Sequence, residues 1–472
     1  MLFGKKTLSL SFTNTLSGKK EAFVPLKKGK ATLYSCGPTV YGFQHVGNLR
    51  AAVFSDVLAR ALHAAGYDVK KVVNITDVGH LVGDGDEGED KMAVGAARDH
   101  TTPKAIADKY TKQYLEDIKT LNVDLASTQF PRATAYIQEQ IAMIRKLEEK
   151  GLAYRTSDGV YFDTERFPEY GILGNVRGME LQAGTRIARG EKKNEHDFVL
   201  WRAAKQHDLQ QWDSPWGKGN PGWSIECSAM AVSLLGERID IHTGGQDHVQ
   251  VHHNNEIAQS EGATGKAPFS RYWLHNAFLT IGGEKISKSL GNTYTLADVR
   301  EKGIHPLALR YLFLQAHYRS PLSFSWDSLA AAETALKRLW KQARQVKEDA
   351  GGQSDSTRGD IIRAAVFDDL GTPLALDALW RDLGDHSLTP AQKWGVIQAA
   401  DEMLGLSLIT PPDEAAMLAL SDLPEDVRKL AEEREQARNS RDFVRSDELR
   451  IHISERGYAV EDGPSGSTYS KV

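Results

Sequence analysis

Apolar residues recur at helical spacing between residues 48 and 65, where Leu49, Val53, Val57 and Ala61 form one stripe with Phe54, Leu58 and Leu62 beside it. Gly66 is placed to stop that helix. Short β-rich runs flank it, residues 31–37 (ATLYSCG) and 69–76 (VKKVVNIT), so the stretch reads as strand, helix, strand. Such a unit predicts a parallel sheet, and the first strand-to-helix turn is where a nucleotide site is expected. Residues 103–151 read as helical, with Ile137, Ile141, Ile144 and Glu148 in one register and Gly151 as a C-cap. From 152 to 220 the pattern breaks into β-like runs (GVYFD, DFVLW) and Gly/Pro-rich turns (SPWGKGNPGW), the texture of an insertion. A second α/β block follows at 221–300. Beyond about 305 strands are expected to vanish in favour of helices rich in Ala, Leu, Arg and Glu, with Gly351 to Ser356 as a linker.

At 472 residues the chain is long enough for two to four domains. Apolar residues make up 41% and charged residues 26%, the balance of a globular protein, and no apolar stretch approaches the roughly 18 residues that span lipid, so no membrane partner is expected. Lys+Arg 58 against Asp+Glu 63 leaves a net charge of -5, so a nucleic-acid partner needs a local basic surface. The chain has only two cysteines, Cys36 and Cys227, which argues against a disulfide framework. The N-terminal MLFGKKTLSLSFTNTL has no signal-peptide core, which makes the cytoplasm the expected compartment. The acidic run Asp84–Asp90 looks like a calcium loop but places Glu89 sixth and Gly95 twelfth, where Gly and a bidentate Glu are needed. It reads instead as a solvated or substrate-covering loop.

Three constellations carry chemistry. Cys36-Gly37-Pro38-Thr39-Val40-Tyr41 ends the first strand, and His45-Val46-Gly47-Asn48 opens the helix, where free backbone N–H groups and the helix dipole suit phosphate. Glu284-Lys285-Ile286-Ser287-Lys288-Ser289-Leu290-Gly291-Asn292 gathers cations and hydroxyls that suit a polyphosphate, or is an exposed basic loop. Trp223 to Ser228 (WSIECS) precedes His242, Gly244, Gly245, Asp247 and the helical run His252 to Glu256. His252 and Glu256, at i and i+4, share a helix face as two ligands of one ion must. With the two thiols they make a candidate set of Cys36, Cys227, His252 and Glu256; buried structural cysteines beside a polar helix are the alternative.

The pairing of HVGN with KISKS resembles the HIGH and KMSKS signatures of class I aminoacyl-tRNA synthetases. The order CGPTVY, GWSIECSAM, HHNNEIAQS and KISKSLGN, with LNVDLASTQFPRATAYI and DDLGTPLAL, is similar over nearly the whole chain to cysteinyl-tRNA synthetases. The resemblance implies a Rossmann-type parallel-sheet catalytic domain (1–120 and 221–304), split by a connective insertion (121–220) and followed by a helical bundle (305–425) and a small anticodon-recognition domain (426–472). It implies that L-cysteine, ATP with Mg2+ and tRNA(Cys) are the substrates, that the chain acts as a monomer, and that one Zn2+ per chain, held by Cys36, Cys227, His252 and Glu256, reads the substrate thiolate. A soft metal distinguishes sulfur from oxygen far better than a hydrophobic pocket. Carried over position by position, His45, Asn48, Lys285 and Lys288 act on the phosphates, Gly245 and Asp247 on the adenosine, and Gly37, Thr39, Thr76 and Trp223 on the amino acid. Asp462 and Tyr469 match the tRNA-reading tail, with Tyr469 stacking on a base.

The departures are as informative. The final His of HIGH is Asn48, which donates a hydrogen bond but carries no charge. Ser224 stands where the family commonly has His in GWHIECS, so His242 or His253 compensates or amino-acid binding changes. Gly371 replaces Asn in DDLNTP, a turn effect. Three rival readings share parts of the pattern: a cysteine ligase of the mycothiol type, which lacks most of this C-terminal portion; a non-catalytic tRNA- or cysteine-binding paralogue; and a nucleotidyltransferase, which needs none of the four metal ligands.

Overall fold

Strand β1 (Lys30–Ser35), helix α1 (Val46–Ala64) and strand β2 (Asp68–Val73) form the βαβ unit, the two strands pairing in parallel from Lys30 opposite Asp68 to Ser35 opposite Val73. The helix is delimited by local chemistry. His45 Nδ1 accepts the Asn48 N–H at 3.3 Å while Asn48 Oδ1 accepts the His45 N–H at 3.2 Å, a reciprocal cap that satisfies two donors the helix start leaves without intrahelical partners. At the other end the Tyr67 N–H reaches Leu62 O at 3.1 Å and the Gly66 N–H reaches His63 O at 2.8 Å, a Schellman turn that needs Gly66 at φ +87°. The predicted stripe, Leu49, Val53, Val57 and Ala61, is buried at 2% exposure or less.

The computed structural model describes residues 9–79, 90–175, 191–206, 208–282, 284–285, 293–412, 420–440, 442–463 and 466–471. They divide into two compact units, Met1–Ile409 and Thr410–Val472. In the first, β3 (Thr128–Gln129), α2 (Trp223–Leu235), β4 (Ile239–Gly245), α3 (His252–Thr264) and β5 (Ser270–Asn276) complete a five-stranded sheet, all parallel, in the order β5-β4-β1-β2-β3. The chain runs outward from β1 to β3 and then resumes at β4 on the other side. The crevice beyond the ends of β1 and β4 is therefore the topological switch point, where α/β sheets bind ligands.

The expected single helical stretch 103–151 is two helices, Pro103–Thr120 and Ile137–Glu149, with β3 between them. Asn122 in the left-handed region at φ +58° ends the first, and Pro131 follows the strand; the apolar period on each side hid a two-residue strand that the sheet recruits. That strand lies within the span 121–220. The rest of the span holds a four-stranded antiparallel sheet, Ala153–Arg155, Gly159–Phe162, Phe198–Ala203 and Gly219–Pro221, in sequential order.

After residue 305 helices dominate, the longest being Trp326–Ala350, but strands do not vanish. Leu322–Phe324 pairs in parallel with Leu279–Ile281, and a hairpin of Tyr458–Gly463 and Gly466–Lys471 closes the second unit. Each depends on a partner strand, so neither shows in local periodicity. Within that second unit the helices Glu425–Asn439 and Phe443–Glu455 share a small core of Val427, Ala431, Ile453, Val460 and Tyr469. Among the described residues no helix is long and apolar enough to cross a membrane.

Candidate active site and metal centre

The switch-point crevice opens into a cavity of about 290 Å³. The phosphate-type residues His45 and Asn48, the amino-acid candidates Gly37, Thr39, Thr76 and Trp223, the adenosine candidates Gly245 and Asp247, and the ligand candidates Cys36, Cys227 and His252 all line it. Glu256 does not line the cavity but lies behind it, fully buried, touching His252 and Cys36.

The first wall is the turn after β1. Gly37 is required there, since a Cβ would fall 1.8 Å from the Asn74 carbonyl oxygen. The Gly37 N–H donates to Asn74 Oδ1 at 2.8 Å, Asn74 Nδ2 donates to Thr76 Oγ1 at 3.0 Å, and Thr76 Oγ1 donates to Glu226 Oε2 at 3.3 Å. Asn74 and Glu226 thus hold the turn that presents Cys36; Glu226 lies within WSIECS, but neither residue was expected in this role. At the helix start, His45 Nδ1 is taken as an acceptor, so the neutral ring carries its proton on Nε2, and Asn48 keeps its Nδ2 as donor.

The second wall is a histidine-rich cluster around Glu256. His252 opens α3, and one turn later Glu256 Oε1 is 3.1 Å from His252 Nε2. His242, on β4, places Nε2 2.9 Å from Glu256 Oε2, and His253 places Nε2 3.3 Å from Cys36 Sγ, with its Nδ1 2.7 Å from His275 Nε2. Gly244 leaves room for this packing, because a Cβ there would lie 2.6 Å from the His253 ring. Cys227, buried on α2, is in hydrogen-bonding range of Cys36 and His252. The Trp223 ring lies 4.1 Å from the His252 ring, centroid to centroid.

The electrostatics fit a cation. Burial works against charge on Glu256, but His242 and His252 outweigh it and hold the carboxyl at about 2. Burial likewise opposes a proton on His252, yet Cys227 and Glu256 push the ring up to about 10. The hydrogen bond with Cys36 draws the Cys227 thiol down, while burial drives the Cys36 thiol up. The proton on His252 therefore stands where a metal ion would supply positive charge. The ligand atoms of Cys36, His252, His253 and Glu256 lie within 4.8 Å of one another, a spacing that an ion with bonds of about 2.0–2.3 Å can draw together. Thiol, imidazole and carboxylate are the donor set zinc takes. The cluster includes His253, which the expected ligand set omits, and leaves out Cys227, which that set includes; His252 and His253 are neighbours at the start of one helix, and only the position of β1 decides that His253 faces Cys36.

Other expected positions fall elsewhere. Lys285 pairs through its backbone with Thr280, and its side chain, like the whole of Lys288, lies outside the described residues. Residues 84–89 of the acidic run also lie outside them, while Asp90 caps the helix Lys91–Arg98 by accepting the Ala93 N–H at 2.9 Å. Asp462 is in the C-terminal hairpin with its side chain outside the described residues. Tyr469, expected to stack on a base, is 1% exposed: it pairs with Val460 across the hairpin and turns inward onto the helices, so its ring serves the core of that unit.

The family model for the catalytic domain of class I (C) tRNA synthetases matches residues 22–334. The cysteine–tRNA ligase 1 of Burkholderia lata is 46% identical over 463 residues, covering 97% of this chain and 96% of that protein. The cysteine–tRNA ligase of Treponema denticola is 41% identical over 501 residues, covering 98% and 100%. In fold, the chain is similar to Mycobacterium tuberculosis methionyl-tRNA synthetase in complex with methionyl-adenylate, at a TM-score of 0.58 and 16% identity over 81% of this chain and 92% of that one.

Proposed function

The chain belongs to the cysteine–tRNA ligases of class I, and on that premise we propose that it joins L-cysteine to tRNA(Cys) in two steps through the cavity at the sheet's switch point. In the first, a carboxylate oxygen of cysteine attacks the α-phosphorus of ATP, the bond to the β-phosphate breaks, and cysteinyl-adenylate and pyrophosphate form. In the second, a hydroxyl of the terminal adenosine attacks the acyl carbon, AMP leaves, and the hydroxyl proton is lost. Both steps rest on positioning and charge neutralisation.

His45 Nε2 and Asn48 Nδ2 bind the phosphates from the N-terminus of α1, with Mg2+ accompanying ATP, and Lys285 and Lys288 of the KISKS segment neutralise the charge that develops. Gly245 and Asp247 take the adenosine, while Gly37, Thr39, Thr76 and Trp223 hold the amino acid. Cys36, Cys227, His252 and Glu256 hold one zinc ion, with His253 beside them. When bound, zinc supplies a soft cation that prefers a thiolate to an alcohol and so tells cysteine from serine. Asp462 contributes to reading the tRNA.

The observation that carries the reading is that a cluster of the half-buried Cys36 thiol with buried imidazoles and a buried carboxylate borders the same cavity as the capped helix start. The near-complete coverage of relatives named as ligases favours it over the shorter mycothiol-type relatives. Cysteine-dependent exchange of labelled pyrophosphate into ATP, run beside serine with zinc content determined, tests it. Exchange with cysteine alone, abolished by Lys288→Ala without loss of zinc, is the expected result. No exchange from folded, zinc-loaded protein would overturn it.

A further inference from the structure

His252 can offer Nε2 to a metal only if its ring proton sits on Nδ1, and a buried N–H needs an acceptor. Ser224, in the first turn of α2 and 5% exposed, places Oγ 3.1 Å from His252 Nδ1. The same oxygen receives Asn255 Nδ2 at 3.4 Å, and Asn255 Oδ1 in turn accepts the Tyr170 hydroxyl at 2.8 Å. Asn255 lies on α3 and Tyr170 in a turn of the insertion, so the serine is held from outside its own helix. On the opposite edge of the ring, Nε2 faces Glu256 Oε1 at 3.1 Å. The two ring nitrogens are thus sorted: one toward a neutral hydroxyl, the other toward the ligand cluster.

We propose that Ser224 is a positioning residue of the metal centre, accepting the His252 Nδ1–H and so fixing both the tautomer and the rotation that aim Nε2 at the ion. The inference rests on the zinc reading above and deepens it. It also accounts for a serine where the resemblance leads one to expect histidine: a hydroxyl accepts from Nδ1–H whatever the pH, and needs no tautomer of its own to be chosen. The hydroxyl is oriented by Asn255, which Tyr170 orients in turn, so the effect should weaken with each step away from the ring.

The test is zinc affinity by competition with a chromogenic chelator, together with the absorption spectrum of the cobalt-substituted protein. Ser224→Ala should weaken zinc binding by about 10- to 100-fold and shift the cobalt bands, with the far-UV circular dichroism of the parent. Ser224→Thr, which keeps the hydroxyl, should recover most of the affinity, and Tyr170→Phe should lose only a few-fold. Equal affinity and identical cobalt spectra in the parent and Ser224→Ala proteins would overturn the inference while leaving the zinc reading intact. A parent protein that binds no zinc at all would overturn both.

Discussion

Two clusters of charge are buried in the first unit, and they are built differently. Around Asp56, fully buried, every strong group is matched: Oδ2 accepts Arg310 Nη2 at 2.6 Å and Arg60 Nε at 2.7 Å, and Oδ1 accepts the Asp124 N–H at 2.9 Å. Arg310 spends three further donors on the carbonyls of Leu404, Leu121 and Asn122. It thereby ties the helix Pro306–Leu314 and the end of Pro390–Leu404 to α1 and to the turn after the helix Pro103–Thr120. Around Glu256 the accounting does not close. Five histidines, two thiols and a carboxylate crowd together, and His242 Nδ1, buried, has no hydrogen-bond partner among the described residues. A closed network is architecture; a network with ligands to spare is a place to put an ion.

Cys227→Ser should abolish stoichiometric zinc and cut cysteine-dependent pyrophosphate exchange by at least about 100-fold, while serine gains relative to cysteine. Equal zinc in the two proteins would remove Cys227 from the centre. Arg310→Met should do the reverse, destabilising the fold by about 3–5 kcal/mol because it leaves the Asp56 carboxylate buried and half-paired, with zinc per chain unchanged. Denaturant unfolding and metal analysis on the same sample separate the two outcomes.

Lys71 lies between the cases. It is 3% exposed, lines the cavity, and burial pulls its ammonium down to about 8 from 10.5, with Asp56 and Asp124 opposing that fall. Below pH 8 the folded state carries a buried charge at a cost; from 8 to 10.5 the unfolded chain holds a proton the folded one has released, so stability rises with pH. Lys71→Met should therefore stabilise the protein at pH 7 by up to about 3 kcal/mol, a gain that fades as the pH approaches 10.5. A gain independent of pH would show that packing and not charge is responsible.

Asp56 has the opposite sign. Burial alone would raise its carboxyl, but Arg310, Arg60 and Lys71 hold it below the usual range. Its stabilising contribution is present above about pH 4 and is lost as the pH falls below that. An acid-unfolding curve for Arg310→Met should accordingly lose much of its pH dependence in that window. The smallest effect belongs to the helix start: Asn48→Ala should cost about 1 kcal/mol of stability through the lost cap, and weaken ATP binding besides. If exchange kinetics are unchanged, Asn48 is a cap and nothing more.

How much of this was legible in the sequence follows from how local each signal is. Helix α1 was readable to within two residues because its apolar stripe, its cap and Gly66 all lie within its own length. The i, i+4 pair His252 and Glu256 was readable for the same reason, and it does share one face of α3. The strands Thr128–Gln129 and Leu322–Phe324 were not, since a two- or three-residue segment becomes a strand only when a partner offers its hydrogen bonds. Nor was the inward turn of Tyr469, which depends on which face of a hairpin the neighbouring helices cover.

Spacing along the chain was enough for the first βαβ unit, the limits of α1 and, through resemblance, the family and its candidate residues. Only the tertiary structure decided that His253 joins Cys36, that His242 holds Glu256 and that Ser224 receives His252 Nδ1. Those contacts join residues 14 to 217 positions apart. They exist because parallel pairing of β1 with β4 brings Cys36 and His242 to the same end of the sheet, and the packing of α2 on α3 sets which ring nitrogen meets which oxygen.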